Sequence, residues 1–187
     1  MADSPVVSEH VERYQAVAAG FAARLAALGP DRWDASTPCE HWTVRALVLH
    51  SAGVHQRIAA MGGTELPAPD EADPAGSWRS ASAAVLTVLD DPVRRTALVA
   101  SRAGEVPFEQ LVGTLLSADT LIHTWDLARG AGLDENLDAR SVAAVLAFMM
   151  PNDELLRVPG GFGPALEPPA GADDQVRLLC FAGRAAG

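Results

Sequence analysis

In the stretch "LSADTLIHTWDLARG", residues 116–130, Asp119 and His123 stand four apart where an otherwise apolar helical pattern should be greasy. Residues four apart on a helix lie on adjacent turns of one face, so both side chains point inward. His50, in "VRALVLHSAGVHQRIAAM", falls three after Leu47 and four before Val54, on or beside a second buried stripe. A buried, ionised carboxylate is costly unless it is paired. Three arrangements would satisfy Asp119: an i,i+4 contact with His123, an arginine from another helix, or a divalent cation shared by Asp119, His123 and His50. Two imidazoles and a carboxylate suit zinc first, then nickel, iron or manganese, and three protein ligands leave positions open for water or substrate. Spacing leaves all three arrangements open and favours the plainest, core polar groups satisfied by their neighbours.

The residues nearby divide between chemistry and packing. His55, five after His50, is turned about 140° around the helix and is expected at the surface or rim rather than in the same cluster. Asp126, three after His123, would either orient that imidazole or pair with Arg45 or Arg129. Arg45 and Arg129 are candidate anchors for a cofactor or substrate carboxylate and Trp125 a candidate wall. Solvated charge and simple packing are the plainer readings of these three. Cys39, His41 and Trp42 read as packing in a compact loop, and His10 as exposed. No G-x-S-x-G elbow, phosphate-cradling glycine loop or H-E-x-x-H occurs, so no residue is assigned as catalytic.

These groups must be positioned by helices. Val11, Tyr14, Val17, Ala18, Phe21, Leu25 and Leu28 recur in steps of three and four, predicting an amphipathic helix over 8–28. A loop over 31–42 follows, then Thr43 as N-cap of a second helix ending at Gly62-Gly63. After a proline-rich acidic loop, a third helix is expected from Ser77 to Leu89. "RRTALVASRAGEVPF" reads as a short hairpin or plain loop. Residues 107–129 predict one long fourth helix, "DARSVAAVLAFMM" a fifth, and Pro151 begins an irregular tail with a short apolar piece, "QVRLLCFAG". The fold class is all-α, an alanine- and leucine-rich helical bundle with a decorated C-terminus, expected as one domain over 1–187.

Composition removes several function classes. The net charge is −10, all fourteen basic residues are arginine, and they form no block. Nucleic acid and an anionic membrane surface are therefore not expected partners. No apolar run approaches the ~20 residues that span a bilayer. The first residues lack the basic-then-apolar pattern of a secretion signal, and two cysteines make no disulfide framework. A cytoplasmic monomer or homodimer is expected.

Three segments in order, "STPCEHWTVRALVLH", "ADTLIHTWDLARGAG" and "GFGPALEPPAGADDQVRLLCFAGR", resemble the actinobacterial DinB-like metal-binding proteins grouped with mycothiol-dependent maleylpyruvate isomerase. The resemblance covers essentially the whole chain. It implies an up-and-down four-helix bundle with a metal at one end of its core, held by His50, Asp119 and His123. The isomerase carries glutamate at the position of Asp119, one methylene longer, and a further C-terminal domain not expected here. The resemblance also implies a low-molecular-weight thiol, mycothiol, as cosubstrate, and hence a thiol-dependent transferase or isomerase acting on a small electrophile. A metal-dependent hydrolase and a non-catalytic metal or small-ligand module are the alternatives.

Overall fold

In the computed structural model, which describes residues 8–102, 104–157 and 161–186, the first helix opens at Ser8, whose hydroxyl accepts from the His10 N–H at 3.2 Å. Helix α1, Glu9–Ala27, buries Val11, Tyr14, Val17, Ala18, Phe21 and Leu25, the stripe its periodicity predicts. Thr43 caps α2, Val44–Met61, accepting from the Ala46 N–H at 3.3 Å. Helix α3, Pro74–Asp90, starts three residues before Ser77 because Asp73 accepts from the Gly76 N–H at 2.8 Å and Pro74 occupies the first turn, where its missing N–H costs nothing. The ambiguous segment after it folds as a short helix α4, Pro92–Thr96, and an antiparallel hairpin, β1 Leu98–Ser101 with β2 Gly104–Pro107, in register from Leu98↔Pro107 to Ser101↔Gly104.

The expected single helix over 107–129 is three segments: α5, Phe108–Leu111, a π-helical stretch Val112–Leu116, and α6, Ser117–Ala131. Periodicity cannot reveal the π turn, because one of the groups that satisfies its carbonyls lies on another helix. The Ser117 hydroxyl donates to the Val112 carbonyl at 2.9 Å, and Arg13 of α1 donates to the Gly113 carbonyl at 2.7 Å. Gly113 admits α1 at close range: a Cβ there would meet the His10 backbone at 2.6 Å. His10 is accordingly half-buried rather than exposed. A wide turn shifts the angular register of everything after it, so it helps decide which residues of α6 face α2.

Helix α1 packs on α6, α6 on α2, α2 on α3 and α3 back on α1, closing a four-helix bundle of the DinB-like type. Its core includes Tyr14, Phe21, Leu47, Trp78, Val85 and Phe108. Helix α7, Ala139–Met149, capped by Asp138, and α9, Asp174–Phe181, capped by Asp173, cover the outer face of α6 through a second core of Ile122, Val142, Val145, Met149 and Leu178. A one-turn helix α8, Asp153–Leu156, lies between them in sequence. Helix α6 is thus enclosed on both sides. From Ser117 to Ala128 every residue except Asp119 is buried. No helix among the described residues is long and apolar enough to cross a membrane.

Candidate metal centre

Asp119 is the break in the burial of α6, and two imidazoles face it. One nitrogen each of His50 and His123 and one carboxylate oxygen of Asp119 all lie within 4.8 Å of one another. The His50 and His123 rings meet edge to face, centroids 5.3 Å apart. His123 Nε2 stands 3.6 Å from Asp119 Oδ1, too far for a hydrogen bond. The other oxygen, Asp119 Oδ2, is buried and has no hydrogen-bond partner among the described residues. No arginine pairs with Asp119 there either. Of the three arrangements that could satisfy this acid, the i,i+4 contact is an ion pair without a hydrogen bond that leaves Oδ2 unpartnered, and no arginine pairs with the acid among the described residues. The donor set and the orphaned oxygen fit a divalent cation.

His123 is held from behind. Its Nδ1 lies 3.0 Å from Asp126 Oδ2, which turns Nε2 toward Asp119 and His50; a carboxylate on the far nitrogen commonly fixes a ligating imidazole this way. Asp126, with no exposed surface, is gripped in turn by Arg184, whose Nε and Nη2 donate to its two oxygens at 3.0 and 2.8 Å. Arg184 Nη2 also donates to Cys39 Sγ at 3.2 Å, and the Cys39 thiol donates to Asp126 Oδ2 at 3.1 Å. Cys39, His123 and Asp126 form a second cluster of metal-ligating types. That cluster already contains a cation, the guanidinium, so a metal there would be repelled at close range.

Local folding explains how each part arrives. Trp42 N–H donates to the Cys39 carbonyl at 3.0 Å, closing a β-turn with His41 at φ 66°. The backbone bonds Val44 N to Ala35 O and Arg45 N to Trp33 O, both 2.9 Å, pin the loop to the start of α2. This turn sets the Trp42 ring 4.5 Å from His50 and 6.0 Å from His123. The loop also rests on α6 at Gly130, where a Cβ would meet the Ser36 carbonyl at 2.9 Å. Arg184 is placed by the end of α9. Gly183 adopts φ 79°, its N–H bonds the Cys180 carbonyl at 2.9 Å, and the Arg184 N–H bonds the Leu179 carbonyl at 2.8 Å. This is a Schellman motif with glycine at the left-handed position.

The electrostatics differ for the two imidazoles. Burial, reinforced by the nearby His123, lowers the pKa of His50, favouring the neutral form that ligates metals. Burial also opposes charge on His123, but Asp119, the Asp126 hydrogen bond and Cys39 outweigh it and raise the group to about 10. Asp126 would be raised by burial, yet the hydrogen bonds from His123 and Arg184 bring it down to about 2. In the metal-free protein His123 is therefore an imidazolium between two carboxylates.

The remaining residues separate clearly. His55 misses the cluster, as its angle predicts, but is not at the surface. It is fully buried, with Nδ1 2.7 Å from the Ser51 carbonyl and its ring edge-on to Trp78. Burial lowers its pKa to about 4, so it is a neutral core histidine. Asp126 orients the imidazole and carries a salt bridge, but to Arg184 rather than Arg45 or Arg129. Arg129 pairs with Glu135 at 2.8 Å and lies over the buried Trp125 ring. Arg45 stands 3.6 Å from Asp34 and lies over Trp33. Among the described residues none of these contacts reaches the triad. Arg184 and the Cys39 and Trp42 contacts escaped sequence reasoning. The one available signal for Arg184 was its place directly after a helix-ending glycine.

Two uncharacterised proteins of Mycobacterium tuberculosis, one from strain CDC 1551 / Oshkosh and one from strain ATCC 25618 / H37Rv, are each 31% identical to this chain over 170 residues, covering 88% of it and 91% of their own length. No solved structure matches at comparable significance. Residues 14–128 match the mycothiol maleylpyruvate isomerase N-terminal domain family. The match takes in most of α1, the loop before α2, α2 with His50, and most of α6 with Asp119, His123 and Asp126, and by it the chain belongs to that family.

Proposed function

We propose that this protein binds one divalent cation, zinc in the first instance, through His50, Asp119 and His123, and works as a thiol-dependent transferase or isomerase on a small electrophile with mycothiol as cosubstrate. The observation that carries the metal reading is the orphaned, buried Asp119 oxygen facing two imidazoles. Family membership supports the thiol. When bound, a divalent cation with open positions lowers the pKa of a thiol so that the sulfur is nucleophilic at neutral pH.

The chain's own residues supply the rest. Asp126 holds the proton of His123 Nδ1, so that only Nε2 is offered. Arg184 keeps Asp126 ionised and in place. Trp42 lies against the His50 ring and limits water on that side. A thiol sulfur bonded to an electrophilic carbon would yield an isomer if it leaves again and a thioether if it stays. Because Arg184 from the C-terminal segment completes the support of His123, we take residues 1–187 as one functional unit.

Elemental analysis of protein purified without a nickel column, followed by incubation with mycothiol and a panel of electrophiles, tests both halves. Close to one equivalent of metal and a thiol-dependent isomer or thioether are expected. Metal without turnover across the panel would leave a binding module, and a protein that takes up no cation would remove the metal reading altogether.

A further inference from the structure

A cavity of about 500 Å³ lies where the C-terminal end of α2, the hairpin, the π stretch and the segment after α7 meet. Its walls are mostly apolar, including Ile58, Leu111, Leu115, Phe148 and Leu156. The volume falls within the usual range for a small-molecule site. Two of its polar lining groups are already satisfied: the Thr114 hydroxyl donates to the Gln110 carbonyl at 2.6 Å, and Asn152 to the Phe148 carbonyl at 2.7 Å. Arg102 is the one charged side chain in the lining. It is exposed, and it makes no hydrogen bond or ion pair among the described residues. Other arginines at this end are engaged, Arg94 with the Gly62 carbonyl and Thr64, and Arg95 with Glu109.

Ile58 and Leu115, which line the cavity, lie on the helical runs that carry His50 and Asp119. His50, Val54 and Ile58 on α2, and Leu115 and Asp119 across from them, are all half-buried, whereas most of their neighbours are buried. Leu115 precedes Asp119 by four residues, about 6 Å along the chain axis, and Ile58 follows His50 by eight, about 12 Å. The cavity's Leu115 and Ile58 thus stand about one and about two turns from Asp119 and His50.

We infer that this cavity binds an amphipathic organic carboxylate, an acyl or aryl acid whose apolar body fills the space between Ile58, Leu111 and Leu115 and whose carboxylate pairs with Arg102. The role of such a ligand as the electrophile's body rests on the proposed function; its binding does not. Charge decides the class: the net charge of −10 repels anions in general, so a guanidinium with no hydrogen-bond or ion-pair partner among the described residues, beside an apolar cavity, selects an acid that also brings apolar surface to bury.

Calorimetric titration of the full chain with octanoate, 3-phenylpropionate and uncharged octanamide tests this. Both acids are expected to bind saturably. Arg102→Gln should weaken them about fivefold, the worth of a solvent-accessible ion pair, and leave octanamide unchanged. Ala100→Trp, an exposed strand position lining the cavity, should abolish all three. Asp119→Asn should remove metal and retain octanoate, which separates this site from the metal centre. The inference is overturned if no probe saturates, if Arg102→Gln leaves the acids unaffected, or if octanoate is lost with Asp119→Asn but kept with Ala100→Trp. A concentration-dependent dimer abolished by Ala100→Trp would assign the cavity to a second copy and overturn it equally.

Discussion

Asp126 shows how much one buried side chain controls. It touches His123, Arg184 and Cys39 and has no exposed surface. Asp126→Asn would leave a guanidinium and an imidazolium without their counter-charge, and breaking a buried pair in this way costs about 3–5 kcal/mol. It should also weaken metal binding about 10- to 100-fold, as loss of a carboxylate behind a ligating histidine does. Chemical denaturation and metal competition read the two effects separately. His123→Ala should remove the bound metal and, with it, the metal-dependent part of the stability; stoichiometric metal in that variant would refute the ligand set. The pH dependence follows from the same residues. Asp126, lowered from 3.8 to about 2 by its hydrogen bonds, stabilises the fold above pH 3.8, and this is lost as pH falls through 2. His123, raised to about 10, stabilises the metal-free fold fully below pH 6.5 and loses that contribution as pH rises through 10. A cation must displace the His123 proton, so metal affinity should rise from pH 6 to pH 8 with proton release detectable by calorimetry in two buffers.

Two glycines position whole elements. In an ordinary helix Gly→Ala is stabilising by roughly 0.5–1 kcal/mol. At Gly130 the added carbon meets the Ser36 carbonyl at 2.9 Å, so Gly130→Ala should instead be destabilising and push away the loop that carries Cys39 and Trp42. A changed Trp42 emission together with a lower melting temperature would show it. Gly183→Ala strains a left-handed residue and brings a Cβ to 2.9 Å from the Pro164 carbonyl. Arg184 should then loosen from Asp126, and metal affinity should fall although residue 183 touches no ligand; unchanged affinity would show that the α9 terminus does not support the site. The π stretch acts on a third element, turning α6 against α2 after Leu116.

At the scale of the molecule, α6 is the shared wall of two cores. The bundle lies on one face and the α7–α9 layer on the other, so the layer and the bundle should unfold together. Leu178, fully buried in the outer core, tests this. Leu178→Ala should cost about 2–5 kcal/mol and lower a single transition seen alike by circular dichroism and tryptophan fluorescence. Two separated transitions would mean that the outer layer is an independent unit and that Arg184 reaches the site from a separable part. The cavity beyond Leu115 belongs to this scale too, since it is assembled from α2, the hairpin, the π stretch and the chain after α7.

Helical periods, the Thr43 cap and the misplaced polarity of Asp119 and His123 are local properties, and each could be read from residues within a turn or two. Because a carboxylate on an apolar stripe is costly unless paired, the polarity of Asp119 marked the place, but spacing left three arrangements open; the resemblance selected His50, Asp119 and His123, which the structure brings together. His55 was misread because α2 is covered on more than one side, and the number of sides on which a helix is covered is not written in its own period. The π turn depends on Arg13 from another helix. Arg184 meets Asp126 across 58 residues, and Cys39 across 145. Spacing along the chain carries no information about such meetings; only packing brings those charges to one point, where each satisfies a group that would otherwise be buried alone.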